Sequence, residues 1–187
     1  MSGAKGVARP RSGHRGSFIF RVLDWLTAAA IAALVTAFLA FVVFTPVSVK
    51  SSGVSDFYNG DLVFADRLSR YIFNISRGDA AVIKPAGGAE SERRIARIIA
   101  FGGENVTVAE GKLYINGSLL DESEYADDFA QALRLEFTVP EGSVLALPDE
   151  RAKLTAEAVE KSVTELGEII GEARLIAYPL SRIRFFH

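Results

Sequence analysis

The chain has 187 residues, of which 49% are hydrophobic and none is cysteine, and its formal net charge is −2. This length suits about one domain, and the lack of cysteine excludes disulfides and thiolate metal sites. The sequence contains two histidines, His14 and His187, which argues against a histidine-based metal or catalytic site.

The first 24 residues form a basic tail. Five Lys or Arg residues stand there against the single acidic residue Asp24, so the rest of the chain carries the net negative charge. Such a tail can bind nucleic acid, but it also occurs on the cytoplasmic side of membrane helices. The apolar run that follows favours the second interpretation, and we expect no nucleic-acid partner.

Residues 25–44 (WLTAAAIAALVTAFLAFVVF) form an uncharged run of 20 residues. In a helix this run spans about 30 Å, the thickness of the hydrocarbon core of a bilayer. It is longer than a typical signal-peptide core, and FTPVS after it is a poor cleavage site. The sequence therefore predicts a single-pass anchor in the cell membrane, with 1–24 in the cytoplasm by the positive-inside rule and 45–187 outside the cytoplasm.

The part beyond the anchor is predicted to be mostly β. Short runs rich in Val, Ile, Leu and Phe are separated by glycine turns, which favours a compact β domain over βαβ units. Asn116-Gly117 is the strongest hairpin signal, because Asn-Gly suits a type I′ turn. The predicted strands are 61–65, 80–84, 94–101, 105–108, 112–115 and 143–147.

One later segment has helical rather than strand periodicity. In LTAEAVEKSVTELGEII, apolar residues recur at Val159, Val163, Leu166 and Ile170, in steps of three and four. Glu157 and Lys161 form an i,i+4 pair, and Gly167 can end the helix. The sequence predicts a short amphipathic helix over about 155–166, inserted in the β domain.

Several blocks behind the anchor follow one another in an order that is typical of a known family. They are a serine-bearing segment ending in Gly60-Asp61, then RGDAAVIKP, ERRIARIIAFGGENV, GKLYINGSLLDESEY, VPEGSVLALPDER and GEARLIAYPLSRI. Together they resemble bacterial type I signal peptidase, the serine–lysine membrane peptidase that removes signal peptides from exported proteins. The resemblance covers essentially the whole chain and implies the mostly-β fold of that family with a small inserted cap.

The resemblance also implies where the catalytic groups belong. The nucleophilic serine of the family lies eight residues before the glycine of a Gly-Asp pair, and here that position is Ser52. Gly53 replaces the usual methionine. Lys50 stands at a position that often carries a serine whose hydroxyl stabilises the oxyanion.

The position of the general base differs most from the family pattern. The family lysine lies in a stretch resembling Y-I-K-R-V-I-G-L-P-G-D, and in RIARIIAFGGE its place is taken by Ala96. Alanine cannot accept a proton, and the neighbouring Arg97 stays protonated at any working pH. In PDERAKLTAEA, the serine that often orients the lysine falls on Leu154, whereas Asp149 and Arg151 are retained and are expected to form a structural ion pair or turn.

We therefore predict a signal-peptidase-like membrane protein that lacks peptidase activity and binds exported preproteins or pilin-like proteins as extended peptides. A cofactor or metal is not expected, and the bilayer is the other predicted partner. The alternative is an active serine peptidase that uses Ser52 with Lys50 or Lys84 as a non-standard base. A serine–lysine autoproteolytic regulator is disfavoured by the anchor, and it too needs the lysine.

Overall fold

The computed structural model describes residues 14–50, 52–68, 75–84 and 93–186 of the chain. It divides into two compact units, Met1–Val42 and Val43–His187, which are described separately. The predicted basic tail lies mostly outside the described residues, so the boundaries predicted for tail, anchor and domain stay predictions.

The described part of the first unit is formed by helix α1 (His14–Val43), which begins before the predicted anchor and ends one residue earlier. Its apolar part, Phe20–Leu39, is long and apolar enough to cross a membrane, with a mean hydropathy of 2.0. The hydroxyl of Thr36 donates a 2.9 Å hydrogen bond to the carbonyl of Ala32 one turn earlier, so this polar group is satisfied within the helix.

The second unit is mostly β, as predicted, and contains two antiparallel sheets. The strands are β1 (Phe44–Ser48), β2 (Leu62–Asp66), β3 (Ala80–Ile83), β4 (Arg94–Phe101), β5 (Asn105–Ala109), β6 (Lys112–Ile115), β7 (Ser118–Leu119), β8 (Leu135–Thr138), β9 (Ser143–Leu147), β10 (Val163–Glu165), β11 (Ile169–Tyr178) and β12 (Arg184–Phe185). The large sheet has the order β1-β2-β11-β3-β4-β9-β10, with β12 paired to β11, and the small sheet has the order β7-β6-β5-β8.

The predicted Asn-Gly hairpin joins β6 to β7. Asn116 and Gly117 both have positive φ, 51° and 79°, as a type I′ turn requires. This hairpin belongs to the small sheet, which is inserted in the chain between β4 and β9. The inserted cap that the resemblance implies stays a prediction.

The predicted helix over 155–166 is wrong in its second half. Helix α2 covers only Ala156–Glu160, with Thr155 as its N-cap, and two 3₁₀ turns (Leu166–Glu168 and Leu180–Arg182) lie farther along. Val163–Glu165 instead forms β10 and pairs with Ser143–Leu145 of β9. Pairing with an existing sheet edge satisfies more backbone groups than one further helical turn.

Candidate active site

Ser52 lies beside the strand that carries the predicted lysine position. The loop from Val49 to Asp61 joins β1 to β2 and is closed at its base by a 2.8 Å hydrogen bond from the amide of Val49 to the carbonyl of Asp61. Ser52 forms a parallel bridge with Ile95 of β4, and the amide of Gly53 donates to the carbonyl of Ile95 at 2.8 Å. The fold thus brings Ser52 and β4 together from distant parts of the sequence.

The hydroxyl of Ser52 is engaged by the backbone of its own loop. It donates to the carbonyl of Val54 at 2.8 Å and accepts from the amide of Val54 at 3.1 Å. Within the part of the chain that the structure describes, no ionisable side chain hydrogen-bonds to this hydroxyl. A serine needs a base within hydrogen-bond reach to become a good nucleophile.

Ala96, at the predicted lysine position, is buried in an apolar cluster. It lies opposite Ala81 of β3 and is 2% exposed. The other buried members of the cluster are Ile83, Ile98, Val144, Ala146 and Ile169. An apolar environment of this kind lowers the pKa of a lysine and so makes it a base, but the methyl group present here has no lone pair to offer.

The two lysines of the alternative mechanism, Lys50 and Lys84, do not share the buried position of Ala96. Lys50 is exposed. Lys84 follows β3, whose Val82 pairs with Ile95 on one side of β4, whereas Ser52 bridges the same Ile95 and must therefore lie on the other side. Strand β4 consequently separates Lys84 from Ser52.

Arg97 and Asp149 form a buried ion pair directly behind the loop. The Nε and Nη2 atoms of Arg97 donate to the two carboxylate oxygens of Asp149 at 2.9 and 3.0 Å. Burial lowers the pKa of Arg97, but the hydrogen bonds to Asp149 and its charge outweigh burial and hold this pKa above its ordinary value. Arg97 therefore stays protonated, and its contacts are those of a structural residue.

The predicted pairing of Asp149 and Arg151 takes a different form. Each joins an ion pair, but Arg151 binds Glu122 with both terminal guanidinium nitrogens, one of them at 2.7 Å. The side chains of Arg151 and Glu122 are only 1% and 9% exposed. Tyr125 donates its hydroxyl to Glu122 at 3.3 Å, and burial followed by the charge of Glu122 raises the pKa of this tyrosine to about 12.

A groove of about 460 Å³ opens beside Ser52. Its lining residues are Ser52–Ser55, Phe57, Tyr58 and Pro148–Glu150. A side chain on Gly53 would place its Cβ 2.8 Å from the Cβ of Pro148, so this conformation of the loop excludes the methionine that the family usually has there.

Two residues that line this groove, Phe57 and Tyr58, are contacted by residues near the end of the chain. Arg182 donates to the carboxylate of Asp61 at 2.8 and 2.9 Å, and its guanidinium lies 4.0 Å from the ring centroid of Tyr58. Phe186 packs against Phe57 with 4.8 Å between the ring centroids. No sequence pattern predicts these contacts, because they join residues more than 120 positions apart.

Among the described residues, no group of His, Cys, Asp and Glu is arranged to hold a metal ion. The expectation that the protein needs no cofactor stays a prediction.

Two relatives support the resemblance seen in the sequence. Signal peptidase I of Bacillus licheniformis is 22% identical over 173 residues, which covers 87% of this chain and 92% of that protein. Signal peptidase I T of Bacillus subtilis (strain 168) is 24% identical over 172 residues, covering 87% and 88%. A crystal structure of a signal peptidase I from Enterococcus faecalis V583 matches with 24% identity and a TM-score of 0.40, over 53% of this chain and 96% of that one.

A family model described as signal peptidase, peptidase S26, matches residues 22–157, well over half of the chain. The predicted family is thereby confirmed: the protein belongs to the S26 signal peptidase family.

Proposed function

We propose that this protein is a membrane-anchored member of the family that binds extended segments of exported proteins without cleaving them. The observation that carries the proposal is the state of the site: Ser52 is bonded to the backbone of Val54, and Ala96 offers a methyl group where the base belongs. The clients are preproteins with signal peptides, which family membership implies, and pilin-like proteins are included by analogy with family members that assist pilus assembly.

The backbone beside Ser52 supports binding by strand addition. Strand β1 is at one end of the large sheet and pairs with β2, and the chain runs from β1 directly into Lys50 and Ser52. An extended peptide can add to a sheet edge through main-chain hydrogen bonds, with neighbouring pockets selecting its side chains. The groove lined by Tyr58 and Pro148 is the pocket available for such side chains. Loss of the base removes the chemistry but leaves this surface intact.

The membrane location is part of the same proposal. Helix α1 contains a span of 20 residues that is long and apolar enough to cross a bilayer. Lys and Arg precede this span, which favours a cytoplasmic N-terminus and an extracytoplasmic β domain. A client would then meet the groove on the side of the membrane where signal peptides emerge.

The proposal predicts measurable peptide binding by calorimetry. Full-length protein in detergent is titrated with a ten-residue peptide spanning the cleavage region of an exported preprotein, and with the same peptide N-methylated at two alternate amides. We expect binding of the first peptide and about tenfold weaker binding of the second, because two backbone hydrogen bonds are lost.

Two variants locate the binding surface. Tyr58→Ala removes a groove side chain that is 61% exposed, and Leu119→Ala removes one that is 58% exposed on the small sheet. Weaker binding by Tyr58→Ala alone is expected. If neither peptide binds, or if N-methylation makes no difference, binding by strand addition is wrong.

A further inference from the structure

We infer that Tyr125, in the loop between β7 and β8, is a positioning residue that fixes the shape of the Ser52 groove through Arg97 and Asp149. The peptide-binding role of the groove rests on the proposed function, whereas the coupling between Tyr125 and the groove rests on contacts alone. This coupling makes the loop of the inserted small sheet a determinant of groove geometry.

The first step of the coupling is the hold of Asp149 on the loop. One carboxylate oxygen of Asp149 accepts from both the amide and the hydroxyl of Ser55, each at 3.0 Å. The amide of Asp149 also donates to the carbonyl of Gly53 at 2.6 Å. Three hydrogen bonds to Asp149 therefore fix Gly53 and Ser55, which line the groove next to Ser52.

The second step is the hold of Arg97 on Asp149. Two guanidinium nitrogens bind the two carboxylate oxygens, and the third donates to the carbonyl of Gly78 at 2.8 Å. A planar guanidinium fixed at three points sets both the position and the orientation of the carboxylate. Arg97 therefore fixes the same carboxylate oxygen of Asp149 that accepts from Ser55.

The third step connects Arg97 to the small sheet. The guanidinium carbon of Arg97 lies 4.1 Å from the ring centroid of Tyr125, within the range of a cation–π contact. Tyr125 is held in turn by Glu122, which Arg151 binds. The amide of Asp127, two residues beyond Tyr125, donates to the carbonyl of Asp149 at 3.0 Å. The ring thus lies against the guanidinium of Arg97 on the side of the inserted loop.

Loss of the ring weakens the pair in two ways. The cation–π attraction disappears, and water gains access to an ion pair whose strength depends on a low local dielectric. The hydrogen bonds that join Asp149 to Gly53 and Ser55 then open more often. The amides of residues 53–57 should report this opening, because they lie in the segment that Asp149 holds.

Hydrogen exchange of full-length protein in detergent tests the inference. Tyr125→Leu is expected to raise exchange at the amides of residues 53–57 on the order of tenfold, while exchange in β5 and β6 stays unchanged. Tyr125→Phe keeps the ring and is expected to restore slow exchange. Tyr125→Met fills the volume without a ring and replaces the leucine variant if that variant folds poorly. It is expected to behave as Tyr125→Leu does. Tyr114→Leu, a half-buried tyrosine of β6 in the same small sheet, is the matched control.

The outcomes separate the inference from the proposed function. Faster exchange confined to 53–57, with rescue by phenylalanine, supports positioning by Tyr125. No change there, a rise spread over the whole domain, or an equal rise at residues 53–57 in the control Tyr114→Leu overturns it. If the wild type binds peptide, Tyr125→Leu should weaken that binding only to the extent that the open loop becomes a large fraction of the molecules, since apparent affinity scales with the binding-competent fraction. If the wild type binds no peptide, the proposed function fails, yet the exchange result still decides the coupling.

Discussion

Replacing Glu122 with alanine is expected to lower the free energy of unfolding by about 3–5 kcal/mol, because it leaves the charge of Arg151 buried without its partner. The two side chains are 9% and 1% exposed, so the charge of Arg151 is shielded from bulk water when its partner carboxylate is lost. In a domain of this size the loss corresponds to a fall in melting temperature on the order of 10 °C. Thermal unfolding of the full-length protein in detergent, followed by circular dichroism, measures it.

Two further variants test whether burial of the Arg151 charge causes the loss of stability in Glu122→Ala. Glu157 pairs with Lys161, but these side chains are 75% and 74% exposed, so Glu157→Ala is expected to cost less than about 1 kcal/mol. Glu122→Leu combined with Arg151→Met replaces both charges by apolar groups and should recover much of the lost stability. Equal losses for Glu122→Ala and Glu157→Ala would contradict the account.

Placing a lysine at position 96 is expected to destabilise the protein in a manner that depends on pH. Ala96 is buried in one apolar cluster with Ala81 and Ala146, so the larger side chain costs about 1–3 kcal/mol by overpacking alone. Burial then lowers the pKa of the new lysine below its unfolded value of about 10.4, and each unit of lowering adds about 1.4 kcal/mol at neutral pH.

The sign of this pH dependence follows from proton binding. Below pH 10.4 the unfolded chain binds a proton that the folded lysine holds less tightly, so the penalty grows as pH falls toward the folded pKa and then levels off. Unfolding by denaturant at pH 7 and pH 10 should show a larger deficit relative to wild type at pH 7. Ala132→Lys, at an exposed position, is the control and should show no such difference. A deficit that is independent of pH would mean that position 96 is not the buried site described here.

Much of the fold could be predicted from local sequence. Strands β4, β6 and β9 have the predicted bounds, because each is a run of apolar residues limited by turns or polar positions. Strand β11 was missed although it is the longest: Gly171, Glu172 and Arg174 interrupt its apolar pattern. Its pairing with β2 and β3 joins segments about a hundred residues apart, and no local pattern encodes such a contact.

The site was predictable only where a spacing marks it. The distance from Gly60 selects Ser52, and the alignment of one strand selects Ala96; the structure then brings Ser52 beside β4. The roles assigned to both residues remain predictions. The contacts of Tyr125, Glu122 and Arg182 could not be foreseen, since ion pairs and ring contacts between distant loops depend on the completed fold.

We propose that this member of the S26 family has the fold of a signal peptidase without its chemistry. The most direct test incubates purified full-length protein in detergent with an exported preprotein and measures the mature product by mass spectrometry, beside Ser52→Ala, Ala96→Lys and an active signal peptidase I as positive control. We predict that the wild type releases no more product than Ser52→Ala, whose hydroxyl is absent. Cleavage by the wild type at the signal-peptide junction that disappears in Ser52→Ala would contradict the account.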